Sequence, residues 1–300
     1  MNNSLIIGSR GSQLALWQSN WVKAQLEQRG YAVSIEIIQT TGDRITDVSL
    51  SKIGSKGLFT KEIEEALLDG RVHLAVHSCK DMPTELPEGL VLSAIPVRED
   101  PRDVVVGRKI SDLPAGSKVG TSSLRRAAQL QAMRADLVIE NIRGNVDTRL
   151  RKQQEGQYDA IILAAAGLHR LGLGAHVAEY LAPELMMPAV AQGALAIETL
   201  LAGPGFDAAS LLDDAATRRC VTAERAALRA LGGGCQVPLG AHATLDGDTV
   251  TVNGVCVSPD GRVVVRASAE GTDAEATGAA LGQRLLDGGA KLILDQVYHP

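Results

Sequence analysis

Cys235 is the residue of this 300-residue chain whose surroundings most favour covalent chemistry. It lies in the stretch LGGGCQVPLG at 231–240, where small neighbours leave room around its sulfur. The preceding segment, 215–231, has apolar residues at helical spacing, and glycines after such a segment commonly end a helix. We therefore expect the thiol on a loop just past a helix, where it could carry a bulky group. A cysteine is more often a small buried hydrophobic residue, so the rest of the chain must decide.

A carboxylate follows a predicted strand elsewhere in the chain. The apolar run 72–76 leads into the sequence HSCKD at 77–81, and the proline at 83 prevents the segment from continuing as a helix. Held in such a turn, Asp81 could stabilise a cation or transfer protons. The alternative is a carboxylate that caps the turn or pairs with Lys80.

Cationic and hydroxyl side chains follow the other predicted strands. The sequence GTSSLRR at 120–126 combines hydroxyls, the free N–H groups of a helix start and two guanidinium groups, which together suit an anion. Arginine outnumbers lysine by 21 to 9, and its planar fork binds carboxylate or phosphate in bidentate fashion. The arginines that follow predicted strands are Arg10, Arg125, Arg126, Arg143 and Arg149.

These strand-end residues predict one binding site. Each arginine by itself is typical of a solvated surface, and only their shared position beside Gly, Ser and Thr favours a site. Ligands of open α/β sheets bind beside the carboxyl ends of the strands. We therefore expect the junctions to converge on one cleft that binds a ligand with several negative charges.

Short apolar runs alternate with segments of helical period through most of the chain. This pattern is typical of βαβ units and predicts an α/β fold with largely parallel sheets. The first helix is expected to carry Leu14, Trp17 and Trp21 on one face and to end near Gly30. Between residues 42 and 57 the chain is polar and punctuated by glycine, and we expect a mobile lid there.

The carboxyl-terminal part of the chain has a different pattern. Two segments of alternating polarity, 249–257 and 262–269, are joined by a turn sequence at 259–261 and followed by a helical segment from about 273 to 287. This pattern predicts antiparallel strands accompanied by a helix, which together form a small α+β unit.

Composition excludes several classes of protein. The four cysteines include no C-x-x-C pair, and no His/Cys cluster has zinc-ligand spacing, so we expect reduced thiols, no bound metal and a cytoplasmic location. The amino terminus does not resemble a signal peptide, and no apolar run is long enough to span a membrane. Only 3% of the residues are aromatic and no long basic stripe occurs, which disfavours nucleic acid. The glycine motifs of dinucleotide sites and P-loops are absent.

Seven sequence blocks, taken in order, resemble the porphobilinogen deaminase family, whose members are also called hydroxymethylbilane synthases. The blocks are Arg10 with LALWQ at 14–18, KGLFTKE at 56–62, HSCKD at 77–81, GTSSLRR at 120–126, RGN at 143–145 with Arg149, QGA at 192–194 and GGCQVP at 233–238. Two positions depart from the family pattern: Cys79 stands where an apolar residue is common, and Ala191 stands where glycine is common before Gln192. We expect neither departure to alter the chemistry, although Cys79 adds a thiol near the site.

The resemblance implies three α/β domains, of which the first two are doubly wound and similar to the halves of a periplasmic binding protein. Domain one would comprise residues 1–96 with a return segment at 193–214, and domain two residues 97–192. A C-terminal α+β domain with a short antiparallel sheet would comprise residues 215–300 and carry Cys235.

The resemblance also implies a reaction. Members of the family are transferases of tetrapyrrole biosynthesis that condense four porphobilinogen molecules head to tail, release ammonia at each addition and hydrolyse the product as hydroxymethylbilane. The growing chain is attached to a dipyrromethane cofactor, which a thioether joins to the cysteine that matches Cys235. Asp81 matches the catalytic aspartate, whose implied role is to hydrogen-bond the pyrrole N–H groups, stabilise the cationic intermediate and assist proton transfer to the departing amine.

The acetate and propionate arms of each pyrrole ring would account for the arginine-rich strand ends. By residue-level match, cofactor or substrate would be bound by Arg10, Gln18, Asp43, Ser78, Lys80, Thr121, Ser123, Arg125, Arg126, Arg143, Asn145, Arg149, Ala164, Gln192 and Gly193. We expect a monomer that has porphobilinogen as its small-molecule partner and does not associate with nucleic acid or a membrane.

Two other classes of protein share some of these features. A two-lobed binding module also uses strand-end loops to hold a carboxylated ligand, and fold alone does not separate it from an enzyme. A hydrolase with Cys235 as nucleophile would need a histidine base, and none of the six histidines is a persuasive partner.

Overall fold

The computed structural model describes residues 3–44, 58, 60–232 and 237–298. Its strands are β1 (Ser4–Ser9), β2 (Ala32–Ile37), β3 (Leu74–Ser78), β4 (Leu90–Ala94), β5 (Asp103–Gly107), β6 (Lys118–Gly120), β7 (Val138–Glu140), β8 (Ala160–Ala164), β9 (Val177–Leu181), β10 (Leu195–Leu200), β11 (Leu239–Asp246), β12 (Thr249–Val257) and β13 (Val264–Gly271). Its α-helices are α1 (Gln13–Glu27), α2 (Thr41–Arg44), α3 (Lys61–Leu68), α4 (Leu124–Met133), α5 (Val146–Gln154), α6 (Ala165–Arg170), α7 (Pro204–Ser210), α8 (Ala215–Ala230), α9 (Ala274–Leu285) and α10 (Lys291–Tyr298).

The chain forms two compact units. The first unit comprises Met1–Arg98 and Ala194–Arg218, and the second comprises Glu99–Gly193 and Arg219–Pro300. The second unit contains both a five-stranded and a three-stranded sheet. The division into three domains, with boundaries near residues 96, 192 and 214, therefore stays a prediction.

The first unit contains a five-stranded sheet of order β2-β1-β3-β10-β4. β1 runs parallel to β2 and β3, whereas β10 runs antiparallel to β3 and β4. Helices cover both faces: Leu5 and Ile7 of β1 belong to a core that includes Val22 of α1, and Ile63 of α3 belongs to the core on the opposite face.

The larger sheet of the second unit has the order β7-β6-β8-β5-β9. β6 is parallel to β7 and β8, and β5 is antiparallel to β8 and β9, so both five-stranded sheets have the same arrangement of strand directions. Along β5, Val105 belongs to one core and Val104 and Val106 to another. This is why β5 is a continuous apolar run, as in other sheets that are covered on both faces.

The α/β class is confirmed, with one difference from the sequence prediction. Each five-stranded sheet is mixed, because one strand runs against its two neighbours. Of these antiparallel strands, β5 begins soon after the chain enters the second unit at Glu99, and β10 begins directly after it returns to the first unit at Ala194.

The smaller sheet is antiparallel and has the order β11-β12-β13. β12 occupies the residues 249–257 that sequence alternation predicted, and α9 lies within the predicted helix 273–287. β11 has no counterpart in the sequence prediction. Val255 and Val257 of β12 pack with residues Ala128 and Met187, so this sheet shares a core with α4.

The first helix ends at Glu27, close to the predicted end near Gly30, and it buries polar as well as apolar residues. Trp17 is exposed, and the buried residues of α1 include Gln18 and Ser19 as well as Val22. Polar side chains are tolerated there because they have partners: the Ser19 hydroxyl donates to the Ser9 hydroxyl at 2.8 Å. Periodicity of apolar residues could not reveal these bonds.

The predicted lid at 42–57 begins inside a turn of helix, since α2 extends to Arg44. The rest of the lid lies outside the described residues. Within the part of the chain that the structure describes, no helix has the length and apolarity needed to cross a bilayer.

Close packing of α9 against α8 gives a test of the fold. A Cβ added at Gly278 of α9 would lie 2.0 Å from the carbonyl oxygen of Ala223 in α8. We expect Gly278→Ala to lower the free energy of unfolding by about 1–3 kcal/mol, because two packed backbones must separate. The control is Gly174→Ala, whose Cβ would meet only the His169 ring, at 3.9 Å. The urea unfolding midpoint of each variant measures its stability. Equal midpoints for Gly278→Ala and Gly174→Ala would contradict this packing.

Candidate functional site

Side chains from three elements of the first unit meet at the carboxyl end of β3. Ser78 is the last residue of that strand, and its hydroxyl accepts a hydrogen bond of 2.9 Å from the Gln18 side chain of α1. A single 3₁₀ turn, Cys79–Asp81, follows. Lys80 is half-buried and Asp81 is exposed. The turn therefore presents the Asp81 carboxylate to solvent from a strand end.

The backbone of this turn is tied down at two points. The N–H of Cys79 donates to the carbonyl of Ala194 at 3.0 Å, and the N–H of Met82 donates to the carbonyl of Cys79 at 3.2 Å. The side chain of Cys79 is buried. This thiol, which departs from the family pattern, thus occupies the apolar position that the pattern requires.

Arg10, which follows β1, forms an ion pair with Asp43 of α2. The Arg10 Nε lies 3.1 and 3.3 Å from the two carboxylate oxygens, and Nη2 also donates to Asp43. Burial alone would raise the pKa of Asp43, but hydrogen bonds from Arg10 and from the Thr40 hydroxyl outweigh it and lower that pKa. Asp43 is therefore ionised at neutral pH and fixes the guanidinium head of Arg10.

In the second unit, the junction between β6 and α4 has the predicted composition. The Ser123 hydroxyl caps α4 by accepting a hydrogen bond from the N–H of Arg126 at 3.4 Å. The Thr121 hydroxyl accepts one from the N–H of Ser123 at 3.1 Å. The helix start thus has ordered hydroxyls beside its free N–H groups, the arrangement that favours a negative ligand.

A buried ion triad holds the two arginines of α4. Asp103, the first residue of β5, is fully buried, and its carboxylate lies 2.7 Å from Nη1 of Arg125 and 2.7 Å from Nη2 of Arg126. Gln192 donates to the same carboxylate at 2.8 Å. Burial by itself would raise the pKa of Asp103, but the two guanidinium charges outweigh it and hold that pKa far below its ordinary range.

The structure thus brings together Arg125, Arg126 and Gln192 around one carboxylate. All three were predicted from the sequence to belong to a binding site. Both guanidinium groups also donate to carbonyls, Arg125 to Met187 at 2.6 Å and Arg126 to Ile162 at 3.0 Å. Sequence analysis missed Asp103, the acceptor they share. The available signal was an acidic residue directly before the apolar strand VVV, where a buried carboxylate requires a partner.

The next two strand ends of the second unit carry the remaining predicted residues. Arg143 and Arg149 are half-buried, Asn145 directly precedes α5, and Ala164 ends β8. The Nε of Arg149 donates to the carbonyl of Gly144 at 2.8 Å. This contact places the Arg149 side chain near the amino-terminal end of α5, where positive charge from the helix dipole adds to its own.

The backbone conformation and close packing at position 193 require glycine. Its φ is +89°, and a Cβ would lie 2.3 Å from the carbonyl oxygen of Glu99. Ala191 also has a positive φ, of +59°, and its N–H donates to the buried carboxylate of Glu224 at 2.6 Å. The glycine that is common at this position in the family would adopt the same conformation without strain.

These residues fit a ligand that bears carboxylates. The Nε of Arg125 is buried and has no acceptor among the described residues. Hydroxyls, helix-end N–H groups and guanidinium groups form the rest of the donor set, which matches carboxylate oxygens. That the strand ends of both units face one cleft stays a prediction. Cys235 lies outside the described residues, between the end of α8 at Ala230 and the start of β11 at Leu239.

The ion triad predicts how stability depends on Asp103. We expect Asp103→Asn to lower the free energy of unfolding at pH 7 by about 3–5 kcal/mol, because two buried guanidinium groups lose their counter-ion. The unfolded chain takes up a proton at Asp103 near pH 3.9, whereas the folded protein does not. The stabilisation is therefore complete above that pH and declines below it, so the difference between wild type and variant should shrink by about 1 kcal/mol at pH 3.

Urea unfolding at pH 7 and pH 3 measures both effects. The control is Asp136→Asn, which breaks an exposed ion pair with Arg134 and should change stability little. Equal losses in the two variants would contradict the triad.

Two family models match the chain. One is described as "Porphobilinogen deaminase, dipyromethane cofactor binding domain" and matches residues 5–202, and the other as "Porphobilinogen deaminase, C-terminal domain" and matches residues 218–287. The porphobilinogen deaminase of Syntrophobacter fumaroxidans is 53% identical and covers 97% of both chains. That of Geobacter metallireducens is 52% identical and covers 98% of this chain and 95% of its own.

Among solved structures, a periplasmic substrate-binding protein of an ABC transporter from Coxiella burnetii is similar to this chain. It is 12% identical, with a TM-score of 0.43, over 71% of this chain and 94% of its own. A likeness of this size carries no argument about the ligand, so the assignment depends on the family models and the relatives. Both family models and relatives more than 50% identical cover most of the sequence, and the chain therefore belongs to the porphobilinogen deaminase family.

Proposed function

We propose that this chain condenses four porphobilinogen molecules head to tail, with loss of ammonia, and releases hydroxymethylbilane by hydrolysis. The observation that carries the proposal is the match to both family models, in a chain that presents Asp81 at a strand end. Family membership favours this enzyme over a two-lobed binding module and over a cysteine hydrolase. The dipyrromethane cofactor, when bound, supplies the pyrrole carbon on which the product grows.

Asp81 is the proposed catalytic residue. Loss of ammonia from porphobilinogen leaves an electron-poor methylene group conjugated to a cationic ring. A carboxylate can accept a hydrogen bond from the ring N–H and stabilise the positive charge, and in its protonated form the same group can assist proton transfer to the departing amine. Because Gln18 bonds to Ser78 and the Cys79 N–H bonds to Ala194, the turn that bears Asp81 is held in place before substrate arrives.

The proposed role of the arginines is to bind the acetate and propionate arms. Arg143 and Arg149 are half-buried beside the start of α5, where their guanidinium groups can bind carboxylates. Arg125 and Arg126 are buried on Asp103, and of their nitrogens the Nε of Arg125 has no protein acceptor among the residues described. We propose that they contribute mainly positive potential from beneath the site. Arg10, Lys80, Thr121, Ser123 and Asn145 would complete the donor set.

We propose Cys235 as the residue that attaches the cofactor through a thioether. The other three cysteines, Cys79, Cys220 and Cys256, are buried. Burial raises the pKa of the Cys256 thiol to about 12, which keeps it protonated and unreactive. We further propose a cytoplasmic monomer that binds porphobilinogen and does not associate with nucleic acid or membranes.

Intact mass tests the attachment. The purified protein should exceed its sequence mass by a two-pyrrole adduct, and Cys235→Ser should remove both this excess and the activity. The control, Cys256→Ala, should keep the adduct, because a buried protonated thiol cannot attack the substrate. An unmodified protein with full activity would disprove the attachment.

Substitution of the proposed catalytic carboxylate tests the mechanism. Asp81→Asn should leave the urea unfolding midpoint unchanged, since the side chain is exposed, and should lower kcat by about 10²–10⁴-fold, the usual contribution of a proton-transfer group. The matched control is Asp69→Asn, an exposed carboxylate at the end of α3, which should keep normal turnover. Near-normal turnover in Asp81→Asn would remove this residue from the mechanism.

A further inference from the structure

A second group of ionisable side chains lies in the first unit, next to the turn that carries Asp81. Glu64 of α3, His77 of β3 and Glu198 of β10 are 8%, 7% and 0% exposed. The Nε2 of His77 lies 3.1 Å from Oε2 of Glu198. The proposed reaction uses none of the three, so their presence in a dry core requires a separate explanation.

The sheet register explains how two of these residues meet. β3 and β10 are antiparallel, with His77 opposite Ala196 and Glu198 opposite Ala75. Side chains alternate between faces with a period of two, so His77 and Glu198 lie on the same face as diagonal neighbours. α3 packs on this sheet, and Glu64 lies on its buried side beside Ile63.

Charge balance limits the protonation states of this cluster. Two ionised carboxylates and one imidazolium would leave an unbalanced negative charge in the core. One oxygen of Glu64 and one of Glu198 are buried without a hydrogen-bond partner among the described residues. A proton on one glutamate removes the excess charge and supplies a further hydrogen-bond donor inside the cluster.

Glu64 is the glutamate that fits the neutral form. Burial raises the pKa of its carboxyl, and the Glu198 carboxylate raises it further, whereas Thr60 and His77 oppose this rise. Glu65, the next residue of α3, is exposed and raises the Glu64 pKa slightly more. Glu198 has the His77 ring as its direct partner, with Nε2 of the ring 3.1 Å from its Oε2.

We propose that Glu64 as a neutral acid, Glu198 as a carboxylate and His77 as an imidazolium form a balanced buried cluster that positions Asp81 for the proposed reaction. His77 directly precedes Ser78 and the 3₁₀ turn. Its bond to Glu198 joins the end of β3 to β10, beside the backbone bond from Cys79 to Ala194. The three residues are positioning residues, because they act through the backbone of the turn.

A matched pair of variants tests the assignment of charge. Glutamine resembles a neutral glutamic acid but cannot replace a carboxylate. Glu64→Gln should therefore keep kcat within about threefold, whereas Glu198→Gln should lower kcat by about 10–100-fold, because an unpaired imidazolium displaces the turn. KM should change less than kcat in Glu198→Gln. Adding His77→Gln to Glu198→Gln removes the unpaired charge and should restore part of the turnover.

The opposite ranking, with Glu64→Gln the more damaging, would overturn the proposal. So would equal losses in the two variants. If Glu198→Gln does not fold, spectroscopy of the wild type decides. Infrared spectra at pH 7 should contain the carbonyl band of a buried carboxylic acid that Glu64→Gln abolishes, and ¹⁵N shifts should identify His77 as imidazolium. A missing acid band, or a neutral His77 ring, would refute the cluster.

The spectroscopic outcome does not depend on the substrate. It separates failure of this inference from failure of the proposed function, which rests on turnover of porphobilinogen and on the adduct at Cys235.

Discussion

The buried carboxylate of Asp103 is the interaction on which the site in the second unit depends. Two adjacent arginines at a helix start repel each other, and neither is more than 6% exposed to water. One fully buried carboxylate accepts from both, and it also accepts from Gln192. These bonds fix three segments to one another: the start of α4, the first residue of β5 and the chain before β10. They do so without any contact from a ligand.

The same physical solution occurs in both five-stranded sheets. Each has one antiparallel strand in the fourth place, and each of these strands carries a buried acidic side chain paired with a basic one: Asp103 of β5 with the two arginines, and Glu198 of β10 with the His77 ring. In both sheets the pairing lies near strand ends that bear predicted site residues. In the proposed function, such internal partners would keep the cations of a site for a polyanionic ligand in place, because the low-dielectric interior strengthens each pair.

The sequence predicted those features that local patterns determine. Alternation located β12, helical spacing located α8 and α9, and the residues after strands supplied most of the proposed site. It missed features that depend on pairing between distant segments. Asp103 and Glu198 have partners 22 and 121 residues away, and neither position looks unusual by composition.

The polar residues that α1 buries were not predicted, for the same reason. Apolar spacing drew attention to Trp17, whereas the helix buries Gln18 and Ser19, whose polar groups bond to β3 and β1. The antiparallel direction of β5 and β10 was also not predicted, because a strand's direction depends on where the chain returns to its sheet. Local sequence does not contain that information.

Direct titration of the Asp103 carboxyl group is the measurement that tests this account most closely. With ¹³C-labelled aspartate, the Asp103 carboxyl shift should stay that of a carboxylate while the pH falls from 7 until the protein unfolds. A titration in the folded protein with a midpoint near the ordinary value of about 3.9 would show that the two guanidinium groups do not hold its charge, and would contradict the account.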